Sequence, residues 1–165
     1  MNLIIKSNKV LRQKPFKTEK ELQTYVEQNM KTILQLEFIE TEFPVGDFRI
    51  DTLAYDKESK AFIIIEYKNV KNHSLIDQGV TYLNLMYDKE ADFVLKYNQK
   101  TKSSLTQKDF DWTQSRVIFI SNTYTPYQLN ATSKNLPFDL IKLTRYEDDI
   151  IDVEFIEKKR KDKTR

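Results

Sequence analysis

Apolar residues along this chain fall into short groups whose spacing changes from segment to segment. Leu22, Val26, Met30 and Ile33 recur at helical spacing. Thr18-Glu19-Lys20-Glu21 precedes them and fits a capping box, with Thr18 as N-cap and Glu21 at the third helical position. A first helix is therefore expected to start near Thr18. Three strand-like runs follow, at 38–43, 48–55 and 61–67. Pro44-Val45-Gly46-Asp47 separates the first two, and the polar loop 56–60 separates the second two. Ser74-Leu75-Ile76-Asp77 repeats the capping pattern, and Ile76, Val80, Leu83 and Tyr87 form the apolar stripe of a second helix. Phe93-Val94-Leu95 reads as a strand, 98–112 as a polar loop and 116–121 as a buried strand. Residues 125–135 read as a short helix ended before Pro137, and 139–146 with 150–156 as a closing hairpin turning at Glu147-Asp148-Asp149. The order is helix, three strands, helix, strand, then a C-terminal extension of strands and helix: an α/β chain.

With 165 residues the chain is long enough for one domain with a sizeable core. It is 39% hydrophobic, 32% charged and 12% aromatic, the mix of a globular protein rather than a disordered one. Its apolar runs, such as 61–65, fall far short of the ~18–20 residues a membrane span needs. The first six residues are too short and too lightly charged for a signal peptide, so the cytoplasm is the expected compartment.

Absences narrow the chemistry. There is no Cys, hence no disulfide, thiolate nucleophile or Cys-built zinc site. A single His, His73, excludes a two-His zinc helix and reads as a turn residue before the second helix. Two glycines, Gly46 and Gly79, exclude a Gly-rich phosphate cradle. What remains is carboxylates, Lys, hydroxyls and a cation held by oxygen. Net charge is +2, but 158–165 carries six Lys/Arg and one Asp, a net +5, which leaves −3 for the rest. The basic run reads as a solvated, flexible tail on a single domain spanning 1–157.

Phe62-Ile63-Ile64-Ile65 marks a central strand covered on both faces, and it runs straight into Glu66-Tyr67-Lys68. Side chains alternate, so Glu66 and Lys68 share a face, about 6–7 Å apart along the strand. Tyr67 points away, with its backbone carbonyl at the edge of the same site. On the preceding strand Asp51 follows Ile50, and antiparallel pairing would bring it beside Glu66. Two close carboxylates repel unless a proton or cation lies between them. Asp51, Glu66 and the Tyr67 carbonyl form a hard-oxygen set suited to Mg²⁺, with Mn²⁺ as substitute, rather than zinc. Lys68 adds positive charge where a phosphate oxygen needs it. Arg49 and Lys71 are further candidates for phosphate contact.

Asp51-x14-Glu66-Tyr67-Lys68 between two helices resembles the PD-(D/E)XK nuclease superfamily. The resemblance covers about 18–97 and implies a restriction-endonuclease-like core, a mixed central sheet flanked by helices. It also implies that Asp51 and Glu66 bind Mg²⁺ and that Lys68 activates or orients the attacking water. Ile50 stands where the family often has Pro. Glu19 to Leu22 matches the Glu-x-x-Leu context in which family members place an additional acid, so Glu19 joins Asp51, Glu66 and Lys68 as a catalytic candidate. Gln78-x-x-x-Tyr82 matches the Gln-x-x-x-Tyr motif of the RecB-like branch, in which these residues organise the site and hold DNA. With Arg49 they are the substrate-binding candidates.

Each residue also has a plainer reading. Asp51 could accept backbone bonds at a bulge, and Glu66 with Lys68 could be a strand-end ion pair contributing ~0–1 kcal/mol. Glu19 could serve the helix dipole, Gln78 could be solvated and Tyr82 could be core. The implied function is a metal-dependent DNA endonuclease in restriction, defence or repair. A non-catalytic nucleic-acid-binding or assembly module of the same fold is the alternative. RNA as substrate, a homodimer and a partner subunit stay open.

Overall fold

The computed structural model describes residues 2–68, 75–131 and 135–158. It opens with a hairpin of β1 (Ile4–Lys6) and β2 (Lys9–Leu11), which the periodicity reading left unassigned. Its turn is Ser7-Asn8, with φ of 51° and 63°, the left-handed pair that a two-residue hairpin loop requires.

The first helix, α1 (Glu19–Gln28), starts where its capping signal lies. The Thr18 hydroxyl accepts the Glu21 amide at 3.0 Å. The return bond differs from a capping box, because the Glu21 carboxylate takes the Lys17 amide at 3.3 Å and pairs with Arg145 at 3.1 Å. A break at Asn29 sets off α2 (Met30–Leu34), which ends on Gln35 in the left-handed region.

The main sheet has six strands in chain order: β3 (Glu37–Val45), β4 (Phe48–Asp56), β5 (Ala61–Lys68), β6 (Arg116–Ser121), β7 (Phe138–Arg145) and β8 (Ile151–Phe155). β3, β4 and β5 run antiparallel, β5, β6 and β7 parallel, and β8 antiparallel on β7. Each parallel step is crossed by helix, as parallel pairing demands: α3 (Leu75–Asp88) with α4 (Glu90–Thr101), then α5 (Pro126–Ala131). The result is a mixed sheet flanked by helices, with β5 buried along nearly its whole length.

One face carries Phe62, Ile64, Phe119 and Phe138 under α3 and α4. The other carries Ile63, Ile65, Tyr67 and Ile141 under Leu22, Val26 and Met30. The α3 stripe is rotated from the one expected. Leu75, Gly79, Tyr82, Leu83 and Met86 are buried, whereas Val80 and Tyr87 are nearly half exposed. Gly79 accounts for the rotation. A Cβ there would stand 2.7 Å from the Phe138 ring, so only glycine lets α3 lie this close to the sheet.

Phe93-Val94-Leu95 is not a strand. Phe93, Val94 and Tyr97 are the buried face of α4, at i, i+1 and i+4. The segment read as a loop from 98 is helical to Thr101. It then makes one-turn 3-10 segments at Gln107–Asp109 and Trp112–Gln114, with Phe110 between them stacked on Phe62 at 4.8 Å. Lys158, counted with the basic tail, bonds the Leu136 carbonyl at 2.6 Å and Asp139 at 3.0 Å. The rest of that tail, the Ser74 cap, Lys71 and His73 lie outside the described residues. Among the described residues no helix is long and apolar enough to cross a membrane.

Candidate active site

β4 and β5 pair regularly from Asp56↔Ala61 to Thr52↔Ile65, and there the ladder stops. One residue further on, side chains do the work of the backbone. The Asp51 amide donates to Glu66 Oε2 at 2.7 Å, and the Tyr67 amide donates to Asp51 Oδ2 at 3.2 Å. Two carboxylates thus bridge the place where the strands part.

The strands part because alternation fails on both β3 and β4. Thr41 and Thr52 pair and meet α1, whereas Phe43 and Ile50 pair and pack with the opposite core. Two residues on, a regular strand would have kept the same face. The switch falls at Glu42, whose φ is 50°, and at Asp51 opposite.

The remaining candidates gather on Glu66 from α3. Gln78 Nε2 donates to Glu66 Oε1 at 3.1 Å and contacts the Tyr82 hydroxyl at 3.3 Å. Tyr82 in turn donates to the Arg49 carbonyl at 3.5 Å, and its ring meets Phe48 edge-on at 6.5 Å. Gln78 and Tyr82 reach the site together because they are one helical turn apart. The Arg49 side chain itself is exposed.

Burial pushes both carboxyls above their ordinary range, and the Asp51 charge adds to the rise at Glu66. The Tyr67 amide and the Lys68 ammonium pull Asp51 back, while Glu42 and Glu19 push it up. Lys68 likewise favours the charged form of Glu66. Tyr82 is raised to about 12, first by burial and then by Glu66, so it stays a neutral donor.

Glu19 therefore acts on Asp51 through its charge, and Glu21 is engaged elsewhere by Arg145 and Lys17. Among the described residues no group of three or more Asp, Glu, His or Cys side chains stands close enough to hold a metal. The donor chemistry still suits a hard divalent cation. Asp51 and Glu66 supply two carboxylates, and each bonded oxygen keeps a second lone pair.

Sequence reasoning missed the residues behind the site. Gln23 is 3% exposed, and the two protons of its Nε2 are shared among three acceptors, the Asp51 carbonyl at 2.9 Å, Thr41 Oγ1 at 3.1 Å and Glu27 Oε2 at 3.1 Å. Thr52 donates to Glu27 Oε2 at 2.6 Å, and the buried Tyr67 hydroxyl lies 3.0 Å from Thr52. The signal was present, since Gln23 and Glu27 stand beside Leu22 and Val26 on the inward face of α1.

No protein-family model matches the chain. A Haemophilus influenzae protein described as uncharacterised is 46% identical over 149 residues, 90% of this chain and 49% of that protein. The chain thus spans about half the length of the curated relative it matches. Among solved structures it is similar to a repair endonuclease from Pyrococcus abyssi, with a TM-score of 0.48 and 17% identity over 78% of this chain and 49% of that one. It is also similar to EndoMS in complex with double-stranded DNA, with a TM-score of 0.48 and 16% identity over 81% of this chain and 50% of that one.

Proposed function

We propose that the chain is a divalent-cation-dependent nuclease of the RecB-like PD-(D/E)XK type that hydrolyses DNA phosphodiester bonds. The observation that carries this reading is the Asp51–Glu66 pair: two carboxylates side by side where the sheet opens, both raised by burial, with Lys68 close enough to favour their charged forms. Mg²⁺ held by Asp51, Glu66 and the Tyr67 carbonyl would supply Lewis-acid charge to a phosphate oxygen and lower the cost of deprotonating water.

The protein's own groups do the rest. Lys68 orients the attacking water, which gives up a proton to solvent as it adds, and offsets the negative charge that builds on the non-bridging phosphate oxygens. Water adds to phosphorus as the P–O bond to the leaving 3′ oxygen breaks. That oxygen takes up a proton and the 5′ phosphate stays on the other fragment. Gln78 fixes Glu66 Oε1, Tyr82 anchors Gln78 to the β4 backbone, Arg49 meets a neighbouring phosphate, and Glu19 keeps negative potential beside Asp51 for the cation.

The test is nicking of supercoiled plasmid and cutting of single-stranded oligonucleotides, of DNA and of RNA, in Mg²⁺, Mn²⁺ or EDTA. Cleavage that needs the cation and disappears in K68A supports the reading. Intact substrates under every condition end it. Cutting both strands calls for two such sites, so a homodimer or a partner subunit should accompany double-strand breaks, and light scattering during turnover reads this directly.

One observation favours the second reading, a binding or assembly module. Both Glu66 oxygens and Asp51 Oδ2 already accept hydrogen bonds that hold β4, β5 and α3 together. As strand clamps alone, these acids would leave the melting temperature indifferent to millimolar Mg²⁺, while DNA would still bind.

A further inference from the structure

Behind the site lies a buried polar group that no feature of the motif accounts for. Glu27 Oε2 accepts from Thr52 Oγ1 and from Gln23 Nε2. Because the Thr52 proton is committed to Glu27, the Tyr67 hydroxyl must donate to Thr52. Gln23 completes the set on Thr41 and on the Asp51 carbonyl. Glu27 and Gln23 on α1 therefore tie Thr41 of β3 and Thr52 of β4, and through Thr52 the Tyr67 hydroxyl of β5, at the level where β4–β5 pairing ends. Glu27 is itself only partly buried and lines a cavity of about 460 Å³ with Met30, Leu36 and Asp56. Its charge thus stays in reach of solvent while Oε2 faces the interior.

We infer that Gln23, oriented by Glu27, is a positioning residue that holds Asp51 from the sheet face opposite Gln78. The inference rests on the nuclease reading for its link to chemistry. Three observations carry it. Gln23 is a fully packed amide whose donors go to the backbone of a candidate ligand rather than to a helix partner alone. Asp51 sits one residue past the last β4–β5 pair, where its amide bonds the Glu66 carboxylate and its carboxylate bonds the Tyr67 amide. Glu66 has its own support in Gln78, on α3, so each acid is braced from a different layer. Outer groups that orient ligand residues commonly govern affinity and rate about as strongly as a weak ligand does.

The test uses the full chain and four variants: Q23A, E27A, E27Q and, as a reference, Q78A. Three readouts are taken: Mn²⁺ affinity by calorimetry, kcat and KM on plasmid DNA, and amide exchange of Tyr67, whose N–H is held by the Asp51 carboxylate. Q23A and E27A should each weaken Mn²⁺ binding and lower kcat by ~10–100-fold with KM nearly unchanged. Both should speed Tyr67 exchange while Ile63 and Ile64 keep wild-type protection. E27Q retains an acceptor for Thr52 and Gln23 and should restore all three readouts to within about twofold. Q78A should leave Tyr67 exchange alone, because it acts on Glu66.

Wild-type Mn²⁺ affinity and Tyr67 exchange in Q23A would overturn the inference. So would loss of protection throughout β4 and β5, which marks a merely structural role. A wild-type chain that neither binds Mn²⁺ nor cleaves overturns the nuclease reading instead. Selective Tyr67 exchange in Q23A would then still uphold the hold on Asp51.

Discussion

Glu40 on β3 and Glu66 on β5 are glutamates of one sheet, two strands apart, and their surroundings drive them in opposite directions. Burial raises both. At Glu40 it is overcome by Lys96 and Lys100, one turn apart on α4, whose ammonium groups lie 3.2 and 3.4 Å from its two oxygens and hold it below the ordinary value. At Glu66 burial wins, and the neighbouring Asp51 adds to it. Lys68 is the cation acting on Asp51, against the pull of Glu42 and Glu19. Where an acid serves the fold, the helix above supplies cations at i and i+4. Where the sheet opens, burial and acid–acid repulsion outweigh Lys68 among the described residues, which is the condition under which the proposed divalent ion would be held.

The sharpest break of this contrast is chemical. D51N should lower cleavage by ~10²-fold or more and abolish Mn²⁺ binding, while K68A should cost ~10²–10⁴-fold in rate and leave Mn²⁺ binding in place. Calorimetry beside a nicking assay separates the two. In EDTA at pH 8, D51N should be more stable than wild type by roughly 1–3 kcal/mol, because an amide replaces a carboxylate that burial disfavours and can still accept the Tyr67 amide. K96A at the other site should instead cost only ~0–1 kcal/mol in a urea melt.

The pH dependence should also part in sign. In the folded chain Asp51 is raised to about 6 and Glu66 to about 8, above the carboxylates of an unfolded chain near ~4. Raised acids add stability that is whole below the unfolded value and is lost as pH climbs through the folded values. Metal-free wild type should therefore lose stability relative to a D51N/E66Q variant between about pH 4 and 8. Glu40 works the other way, since its lowered value adds stability that is present above the unfolded value and fades as the solution is acidified. Urea midpoints across pH 4–9 in EDTA, for wild type, D51N/E66Q and E40Q, check both signs.

Smaller effects sharpen the geometry. Q78A should reduce cleavage by ~10-fold, less than K68A, because it removes a bond to Glu66 and not the acid. G79A should cost ~1–3 kcal/mol, since its methyl must displace the Phe138 ring or lift α3. If α3 lifts, Gln78 withdraws from Glu66 and G79A should lose activity beyond its loss of stability.

Much of this was legible in the chain, for reasons tied to particular residues. Thr18 with Glu21 marks a helix start by chemistry that works locally, and the apolar runs of β3, β4 and β5 are short and bounded by polar turns, with β5 continuously apolar because both its faces are covered. Asp51, Glu66, Gln78 and Tyr82 come together because that order of elements leaves few ways to pair β4 with β5. What escaped depends on tertiary packing. Phe93-Val94-Leu95 looked extended because three apolar residues stand in a row, yet only two of them face the core. Gly79 counts as nothing in a hydrophobic stripe, and its lack of a side chain is what brings α3 down onto Phe138. Gln23 and Glu27 are polar residues on an inward face, and only the partners across the sheet reveal why they belong there.

The two side-chain bridges at the end of the β4–β5 ladder carry an evolutionary consequence. Asp51 and Glu66 stand in for missing backbone bonds, so, on the nuclease reading proposed above, a descendant released from catalysis is not free to replace them with apolar residues. Drift there should run to Asn and Gln, which keep an acceptor for the Asp51 and Tyr67 amides. Lys68, which among the described residues brings charge to that pair rather than a strand-bridging bond, should be the first to change. Among sequences of this type, an intact acid pair followed by an altered lysine would mark lineages that kept the scaffold after surrendering the reaction.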